Sequence, residues 1–206
     1  MIKEVVFDFD GVIADSLDFV LAVTNRYFER WGKETLTRES FRDQDLEQLY
    51  HSSRANFLEE IYLLFRIKSA IHRSLKEIPV HPHVVPVLDE ISRKTRLSLL
   101  TSNSKGNVLD FLKVHHIHNY FHRVEANFMM FNKGRGLISL IKSESLTPRD
   151  VIYVGDEPRD IRAAKFAGVS PIVVDWGYSS RSLLAKFKPE KIVSTSDELK
   201  KALSIA

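Results

Sequence analysis

The chain has 206 residues and no cysteine, and its 30 Lys and Arg against 27 Asp and Glu give a net charge of +3 at pH 7. The absence of cysteine excludes disulfides, thiolate catalysis and cysteine-ligated zinc, and it is typical of a reducing compartment. So small a charge excess does not favour binding to nucleic acid. The first residues lead directly into a predicted strand, without room for a signal peptide, and no apolar run approaches the ~20 residues of a membrane span. We therefore expect a cytoplasmic protein with no membrane and no nucleic-acid partner.

The first predicted strand covers residues 5–9, which are mostly apolar, and two acids stand at its end. Gly11 ends it, because glycine leaves extended geometry at little steric cost. Side chains alternate along a strand, so Asp8 and Asp10 are expected to point into one small volume. Two close carboxylates are unfavourable without a cation beside them. The stretch indicates a divalent metal site, although an Asx turn would also explain two acids near a glycine.

A helical block follows this strand. Apolar side chains recur at helical spacing over residues 17–31, after Asp15 and Ser16, which are expected to cap the helix, and Gly32 ends it. Residues 37–77 keep the helical pattern and contain neither Gly nor Pro. These patterns predict a small all-helical unit inserted after the first strand.

The rest of the chain alternates between helix and strand patterns. The predicted elements are helix 83–95, strand 97–103, helix 105–114, strand 123–126, helix 134–145, strand 151–154, helix 159–167, strand 171–174, strand 191–193 and helix 196–204. Alternation of this kind predicts an α/β fold with a doubly wound parallel sheet and helices on both faces.

Parallel α/β sheets bind ligands at the carboxyl ends of their strands, and polar residues cluster at those ends here. Ser102 could simply cap the next helix, yet a hydroxyl at a helix N-terminus also suits a phosphate. Lys133 would ordinarily be a surface lysine, but it enters a helix on the strand-end side. Helix capping explains Asp160 and does not explain Asp156. The combination predicts a metal and phosphate site.

Four motifs, in this order and spacing, resemble the haloacid dehalogenase (HAD) superfamily, specifically its phosphoglycolate-phosphatase-like members with a helical cap. The motifs are Asp8-Phe9-Asp10-Gly11, Leu99-Leu100-Thr101-Ser102-Asn103, Lys133, and Gly155-Asp156 followed by Asp160. The resemblance covers nearly the whole chain. It implies a Rossmann-like α/β core formed by residues 1–15 and 80–206, with a helical cap formed by residues 16–79.

The resemblance implies a phosphoric monoester hydrolase with an aspartyl-phosphate intermediate. Asp8 would attack phosphorus, and Asp10 would protonate the leaving alcohol and then activate water. Mg²⁺ would be held by Asp8, by the backbone carbonyl of Asp10 and by Asp156, with Asp160 supporting these ligands from behind. Dehalogenases of the superfamily lack the second acid, so Asp10 favours phosphate esters.

The same resemblance assigns phosphate binding to Lys133 and Ser102, which would also act in catalysis, and to Gly11 and Asn103. Thr101 is the fallback for Ser102. Basic residues of the helical block are candidates for a substrate carboxylate or second phosphate, although a solvated helix face is the commoner role for such residues. They are Arg42, Arg54, Arg66, Lys68, Arg73 and Lys76.

Histidines leave two further questions open. His81 and His83, in the loop that returns to the core, would either face the site or have a hinge or capping role. His115, His116, His118 and His122 are typical of zinc ligands, but the topology places them at the opposite end of the sheet, so we expect surface histidines.

The expected partner is a small phosphorylated metabolite, and the expected assembly is a monomer or a homodimer. Two alternatives stay open: a phosphomutase of the same superfamily, and a non-catalytic regulatory protein that binds a phosphate ligand.

Overall fold

The computed structural model describes residues 2–45, 62, 66, 69, 70, 74, 76–126 and 133–204. Its centre is a six-stranded sheet in the order β3-β2-β1-β4-β5-β6, with every neighbouring pair parallel. The strands are β1 Glu4–Phe7, β2 Arg96–Thr101, β3 Arg123–Ala126, β4 Val151–Gly155, β5 Ser170–Val174 and β6 Lys191–Val193. This confirms the predicted Rossmann-like sheet. Strand addition changes sides between β1 and β4, which is where such sheets open a ligand crevice.

Helices cover both faces of the sheet, as predicted. They are α1 Leu17–Arg30, α2 Arg38–Arg42, α3 Val85–Ile91, α4 Lys105–Val114, α5 Lys133–Ser143, α6 Pro158–Phe166, α7 Arg181–Lys186 and α8 Ser196–Ser204. Alternation along β1 sends Val5 and Phe7 into the core beneath α3, α4 and α8, whereas Val6 packs with residues of α5 and α6. Within the described ranges, no helix combines the length and apolar character needed to cross a membrane.

The first strand ends earlier than predicted, and this corrects the argument from alternation. Strand geometry stops at Phe7, and Asp8 makes one last ladder bond, from its N–H to the Val154 carbonyl at 2.8 Å. Asp10 instead lies in a turn that returns to Ala14, and Gly11 adopts φ +80° within it. Asp10 is therefore positioned by the turn and not by the alternation of side chains along a strand.

Two further local features differ from the expectation. Ser16 is the N-cap residue of α1, as predicted, but its side chain makes no capping hydrogen bond, and its hydroxyl instead lies 2.8 Å from the Tyr178 hydroxyl. The short helix α7 was not predicted, since six residues carry too little periodicity to be recognised. Its N-cap is Ser180, whose hydroxyl accepts from Leu183 N–H at 3.2 Å.

The described part of the helical block contains α1, α2 and helical residues 62, 66, 69 and 70. Residues 46–61 lie outside the description, as do the predicted candidates Arg54, Lys68 and Arg73. The chain leaves and re-enters the core side by side: Asp15 N–H donates to the Pro79 carbonyl at 3.0 Å. The division into residues 1–15 and 80–206 against 16–79 stays a prediction.

Candidate active site

Asp8 and Lys133 form a buried ion pair at the tip of β1. Lys133 opens α5, is 2% exposed, and donates to Asp8 and, at 2.7 Å, to Asp160. Phe9 N–H donates to the other Asp8 oxygen at 2.7 Å. Burial raises the pKa of Asp8 to about 7, against the lowering effect of Lys133. Burial also opposes the charge on Lys133, but Asp160 and Asp8 outweigh it and raise the pKa of this lysine.

Asp160 both caps α6 and contacts the site lysine. One carboxylate oxygen accepts from the backbone N–H groups of Asp156, at 3.1 Å, and Glu157, at 3.0 Å. The other accepts from Lys133. Burial favours the neutral acid, yet Lys133 and Arg159 hold the pKa of Asp160 below its ordinary value. The capping and the site explanations of Asp160 are therefore compatible.

Asp156 is fully buried and only half satisfied. Tyr178 N–H donates to its Oδ2 at 2.7 Å, while its Oδ1 has no hydrogen-bond partner within the described part of the chain. A Cβ atom added to Gly11 or to Gly177 would overlap this carboxylate. Burial raises the pKa of Asp156 well above its ordinary value, and neighbouring Glu157 adds to the effect. Burial of a carboxylate oxygen is unfavourable unless the oxygen is paired, so the Asp156 carboxylate suits a cation as its partner.

A divalent ion fits this arrangement. One carboxylate oxygen from each of Asp8, Asp156 and Asp160 lies within 4.8 Å of the others. Hard oxygen donors of this kind are the ligands that Mg²⁺ prefers. The unpartnered Asp156 oxygen supplies an independent reason, since a cation there would remove the cost of its burial. This cluster of buried acids could therefore bind a metal.

The cradle leads to a prediction about Gly177. Replacing Gly177 with Ala should displace the Asp156 carboxylate and weaken Mg²⁺ binding by roughly 10–100-fold, as measured by calorimetric titration. Gly106→Ala is the matched control, because a Cβ there meets open space in α4. Equal Mg²⁺ affinity in the two variants would contradict the assignment.

Asp10 lies beside the acid cluster, with its carboxylate held by two side chains. Asn103 donates to its Oδ2 at 3.1 Å, and the Ser16 hydroxyl lies 3.4 Å from its Oδ1. Burial raises the pKa of Asp10, and the Asn103 hydrogen bond opposes this effect. Asn103, predicted to contact the phosphate, thus contacts the second acid.

The two hydroxyls at the end of β2, on Thr101 and Ser102, differ in their hydrogen bonding. Thr101 accepts from Asn103 N–H at 2.9 Å and so stabilises the turn. Ser102 is 8% exposed, and its buried hydroxyl has no hydrogen-bond partner among the described residues. The cap of α4 is Ser104, which accepts from Asn107 N–H at 3.3 Å, so capping does not explain Ser102. Ser102 has the free donor that a phosphate would require.

Several residues at the site were missed by reasoning from sequence. The Arg159 guanidinium donates to the buried carboxylate of Glu157 and opposes the effect of burial on the pKa of Asp8. Both residues lie between the acids of the fourth motif, so their position could have drawn attention to them. Gly177 and Tyr178 follow β5, the remaining central strand, and the strand-end rule would have included them.

The other candidates lie elsewhere or are engaged within the protein. Arg42 donates to the backbone carbonyls of Asp175 and Ser179, and Arg66 donates to the Tyr27 hydroxyl at 2.6 Å. Lys76 is exposed.

The histidines of the return loop pack at the junction of the two chain segments. The His81 ring stacks on Trp176 and on His83, with centroids 5.2 and 5.5 Å apart. Burial lowers the pKa of His81. This packing favours the hinge alternative. At the far edge, His122 N–H bonds the Leu97 carbonyl near the start of β2, so its backbone lies away from the strand tips.

The fold and the cluster define a Rossmann-like α/β protein with a buried acid and lysine site at the switch point between β1 and β4. Comparison with known proteins identifies the family: the sequence model of haloacid dehalogenase-like hydrolases matches residues 5–174. The chain belongs to the haloacid dehalogenase-like hydrolase family.

Individual relatives span nearly the whole chain. The phosphoglycolate phosphatase of Synechococcus elongatus is 29% identical over 206 residues, covering 98% of this chain and 97% of the relative. Among solved structures, a predicted phosphatase from Clostridium acetobutylicum is similar over 100% of both chains, with TM-score 0.84 and 17% identity. A predicted phosphoglycolate phosphatase from Haemophilus somnus covers 98% of each chain, with TM-score 0.74 and 20% identity. These structures share the fold.

Proposed function

We propose that the protein is a Mg²⁺-dependent phosphatase that hydrolyses a small-molecule phosphate monoester through an aspartyl phosphate on Asp8. The family and the phosphoglycolate phosphatase relatives indicate a phosphatase. The observation that carries the proposal is the arrangement of three buried groups. Asp8 pairs with Lys133, and beside them an Asp156 oxygen has no partner.

Asp8 is the nucleophile in this proposal. Phe9 N–H and Lys133 each hold one of its oxygens, so the carboxylate is oriented before substrate arrives. An Asp8 oxygen attacks phosphorus in line as the bond to the leaving oxygen breaks. Water then attacks phosphorus and releases Asp8 and inorganic phosphate. Lys133 lowers the pKa of Asp8 and so opposes the effect of burial. Lys133 thereby favours the ionised carboxylate that attack requires.

Asp10 transfers the protons. It protonates the leaving oxygen in the first step and takes a proton from the attacking water in the second. Asn103 and Ser16 donate hydrogen bonds to its carboxylate. The raised pKa of Asp10 suits a group that must be protonated in one step and ionised in the next.

Lys133, Ser102 and the helix start at α4 bind the transferring phosphoryl group. Its charge spreads over three equatorial oxygens, and a fixed ammonium and hydroxyl stabilise that charge without reorganisation. Asp8, Asp156 and the Asp10 carbonyl would hold Mg²⁺, with Asp160 behind them, and the bound ion supplies charge neutralisation for these carboxylates and the phosphoryl oxygens. Asp160 positions Lys133 by accepting its second hydrogen bond.

We further propose that residues 16–79 act as a cap over this site, on a core of residues 1–15 and 80–206. Arg42 contacts carbonyls of the loop after β5, and Arg162 of α6 pairs with Asp45 at 2.9 Å. These contacts support a helical segment that closes against the strand tips. The relatives make 2-phosphoglycolate the first substrate to test, within a wider screen of phosphorylated metabolites.

Removal of the metal tests the proposal. Hydrolysis of p-nitrophenyl phosphate and 2-phosphoglycolate should fall at least ~100-fold in EDTA and return on addition of Mg²⁺, as measured by release of inorganic phosphate. Binding of inorganic phosphate without turnover would favour the regulatory alternative. Return of the phosphoryl group to a sugar phosphate, with little free phosphate, would favour the phosphomutase.

A further inference from the structure

Tyr178 links the two acids that the proposed reaction requires at the tips of β1 and β4. Its backbone N–H donates to Asp156 Oδ2 at 2.7 Å. Its hydroxyl lies 2.8 Å from the Ser16 hydroxyl, which in turn lies 3.4 Å from Asp10 Oδ1. Ser16 is fully buried and Tyr178 is 7% exposed, so packing keeps solvent away from both hydroxyls. The chain from phenol to serine to carboxylate is a built feature of the interior.

The direction of this chain follows from its donors and acceptors. An ionised Asp10 carboxylate can only accept hydrogen bonds. Ser16 must therefore donate its single hydroxyl proton in order to bond to Asp10. The Ala14 carbonyl, at 3.5 Å from the Ser16 hydroxyl, competes for that proton. A carboxylate is the stronger acceptor, and a phenol that donates to Ser16 leaves the serine proton free for it. Tyr178 therefore directs the Ser16 proton towards Asp10.

Asp10 depends on such support more than Asp8 does. Lys133 and Phe9 N–H hold Asp8, whereas Asp10 stands in a turn, and the side-chain donors to its carboxylate are Asn103 and Ser16. Donors on both oxygens set the rotation of the carboxylate as well as its place. The phenol is itself fixed, because the Phe41 ring packs edge-on against it with centroids 6.0 Å apart.

We propose that Tyr178 and Ser16 are positioning residues that orient the Asp10 carboxylate for proton transfer to the leaving oxygen. The inference rests on the proposed function, because it assigns a role at the same site. It goes beyond that function by adding two residues that act through Asp10 and do not themselves transfer a proton to the substrate. The loop after β5 thereby orients Asp10 through a side chain and Asp156 through its backbone.

The test compares two leaving groups in the Tyr178→Phe variant. A p-nitrophenolate ion leaves without protonation, whereas the alkoxide of 2-phosphoglycolate requires it, so poor orientation of Asp10 should affect mainly the alkyl ester. We expect kcat/KM for 2-phosphoglycolate, or the alkyl phosphate that the metabolite screen selects, to fall about 10-fold, within the range of general acid catalysis. For p-nitrophenyl phosphate the fall should be under ~3-fold. Inhibition by inorganic phosphate should be unchanged.

Three further variants complete the design. Asp10→Asn sets the full size of the leaving-group effect, and Ser16→Ala should reproduce the Tyr178→Phe pattern. Ser16→Thr keeps the hydroxyl and should restore most of the activity on the alkyl ester. Tyr120→Phe is the control for loss of a phenol, since Tyr120 lies near the start of β2, away from the strand tips.

The outcomes separate the inference from the function on which it rests. Equal losses on both esters in Tyr178→Phe, or none on either, would overturn the positioning role while leaving the phosphatase intact. Failure of Ser16→Thr to exceed Ser16→Ala would also overturn it. If the wild type hydrolyses neither ester in Mg²⁺, the proposed function fails and the positioning role falls with it.

Discussion

Replacement of Asp8 with Asn should reduce phosphate release by about 10⁴- to 10⁶-fold, because the amide is a poor nucleophile and cannot form the aspartyl phosphate. The change is nearly isosteric, and Lys133 keeps its second partner Asp160 at 2.7 Å, so the fold should persist. Steady-state hydrolysis of the best substrate measures the loss. Acid-quenched enzyme should carry a covalent phosphoryl group in the wild type and none in the variant.

A matched control separates chemistry from the loss of a buried charge. Asp160→Asn removes a carboxylate from the same lysine without removing the proposed nucleophile. It should slow turnover through poor placement of Lys133 and still form the phosphoenzyme. An Asp8→Asn variant that keeps more than a tenth of wild-type turnover would contradict the mechanism.

Replacement of Lys133 with Met should destabilise the protein by about 3–5 kcal/mol in the absence of metal, because Asp8 and Asp160 would then share a buried site without their cation. It should also remove most activity, since a phosphate donor is lost. Urea unfolding in EDTA measures the first effect. Lys142→Met is the control, because Lys142 is exposed on the same helix and should change stability by less than ~0.5 kcal/mol.

The stability deficit should depend on pH in a defined direction. Lys133 lowers the pKa values of Asp8 and Asp160 in the folded protein, so its removal should raise both of them in the direction that burial favours. An acid whose pKa is raised on folding loses stability as pH rises from the unfolded value through the folded value. The deficit should therefore grow between pH 5 and pH 8. A deficit that shrinks over this range would show that the two carboxylates are not the groups left unpaired.

Much of the site could be predicted because strand tips of a parallel sheet converge. Asp8 and Asp156 are 148 positions apart in the chain, but each directly follows a short apolar run, and parallel pairing of β1 with β4 brings those ends together. Lys133 was more difficult, because six residues separate it from the end of β3 and it does not directly follow a strand. Its position at the start of a helix could nevertheless be predicted. In the folded structure the side chain is buried there and forms an ion pair.

Other features required the folded structure. The prediction that strand geometry positions both Asp8 and Asp10 was wrong, because β1 ends at Phe7 and a turn positions the second acid. Ser16 occupies the expected N-cap position, but its hydroxyl makes no capping hydrogen bond and instead lies 2.8 Å from that of Tyr178, a residue distant in sequence. Local propensity cannot weigh a contact between residues 162 positions apart, so sequence patterns identified the serine and misjudged its bond.

The sequence by itself determined the class of the protein. The hydrophobic periodicity, the acids at the strand ends and the order of the four motifs can all be read from the sequence alone. Tertiary structure decided which of those groups meet. Among the described residues, it left one Asp156 oxygen and the Ser102 hydroxyl without a hydrogen-bond partner. It also placed the Asp156 carboxylate close to two glycines and against the loop after β5. The physical reason is burial: a polar atom that packing shields from water requires a partner, and only the folded structure shows which atoms are shielded.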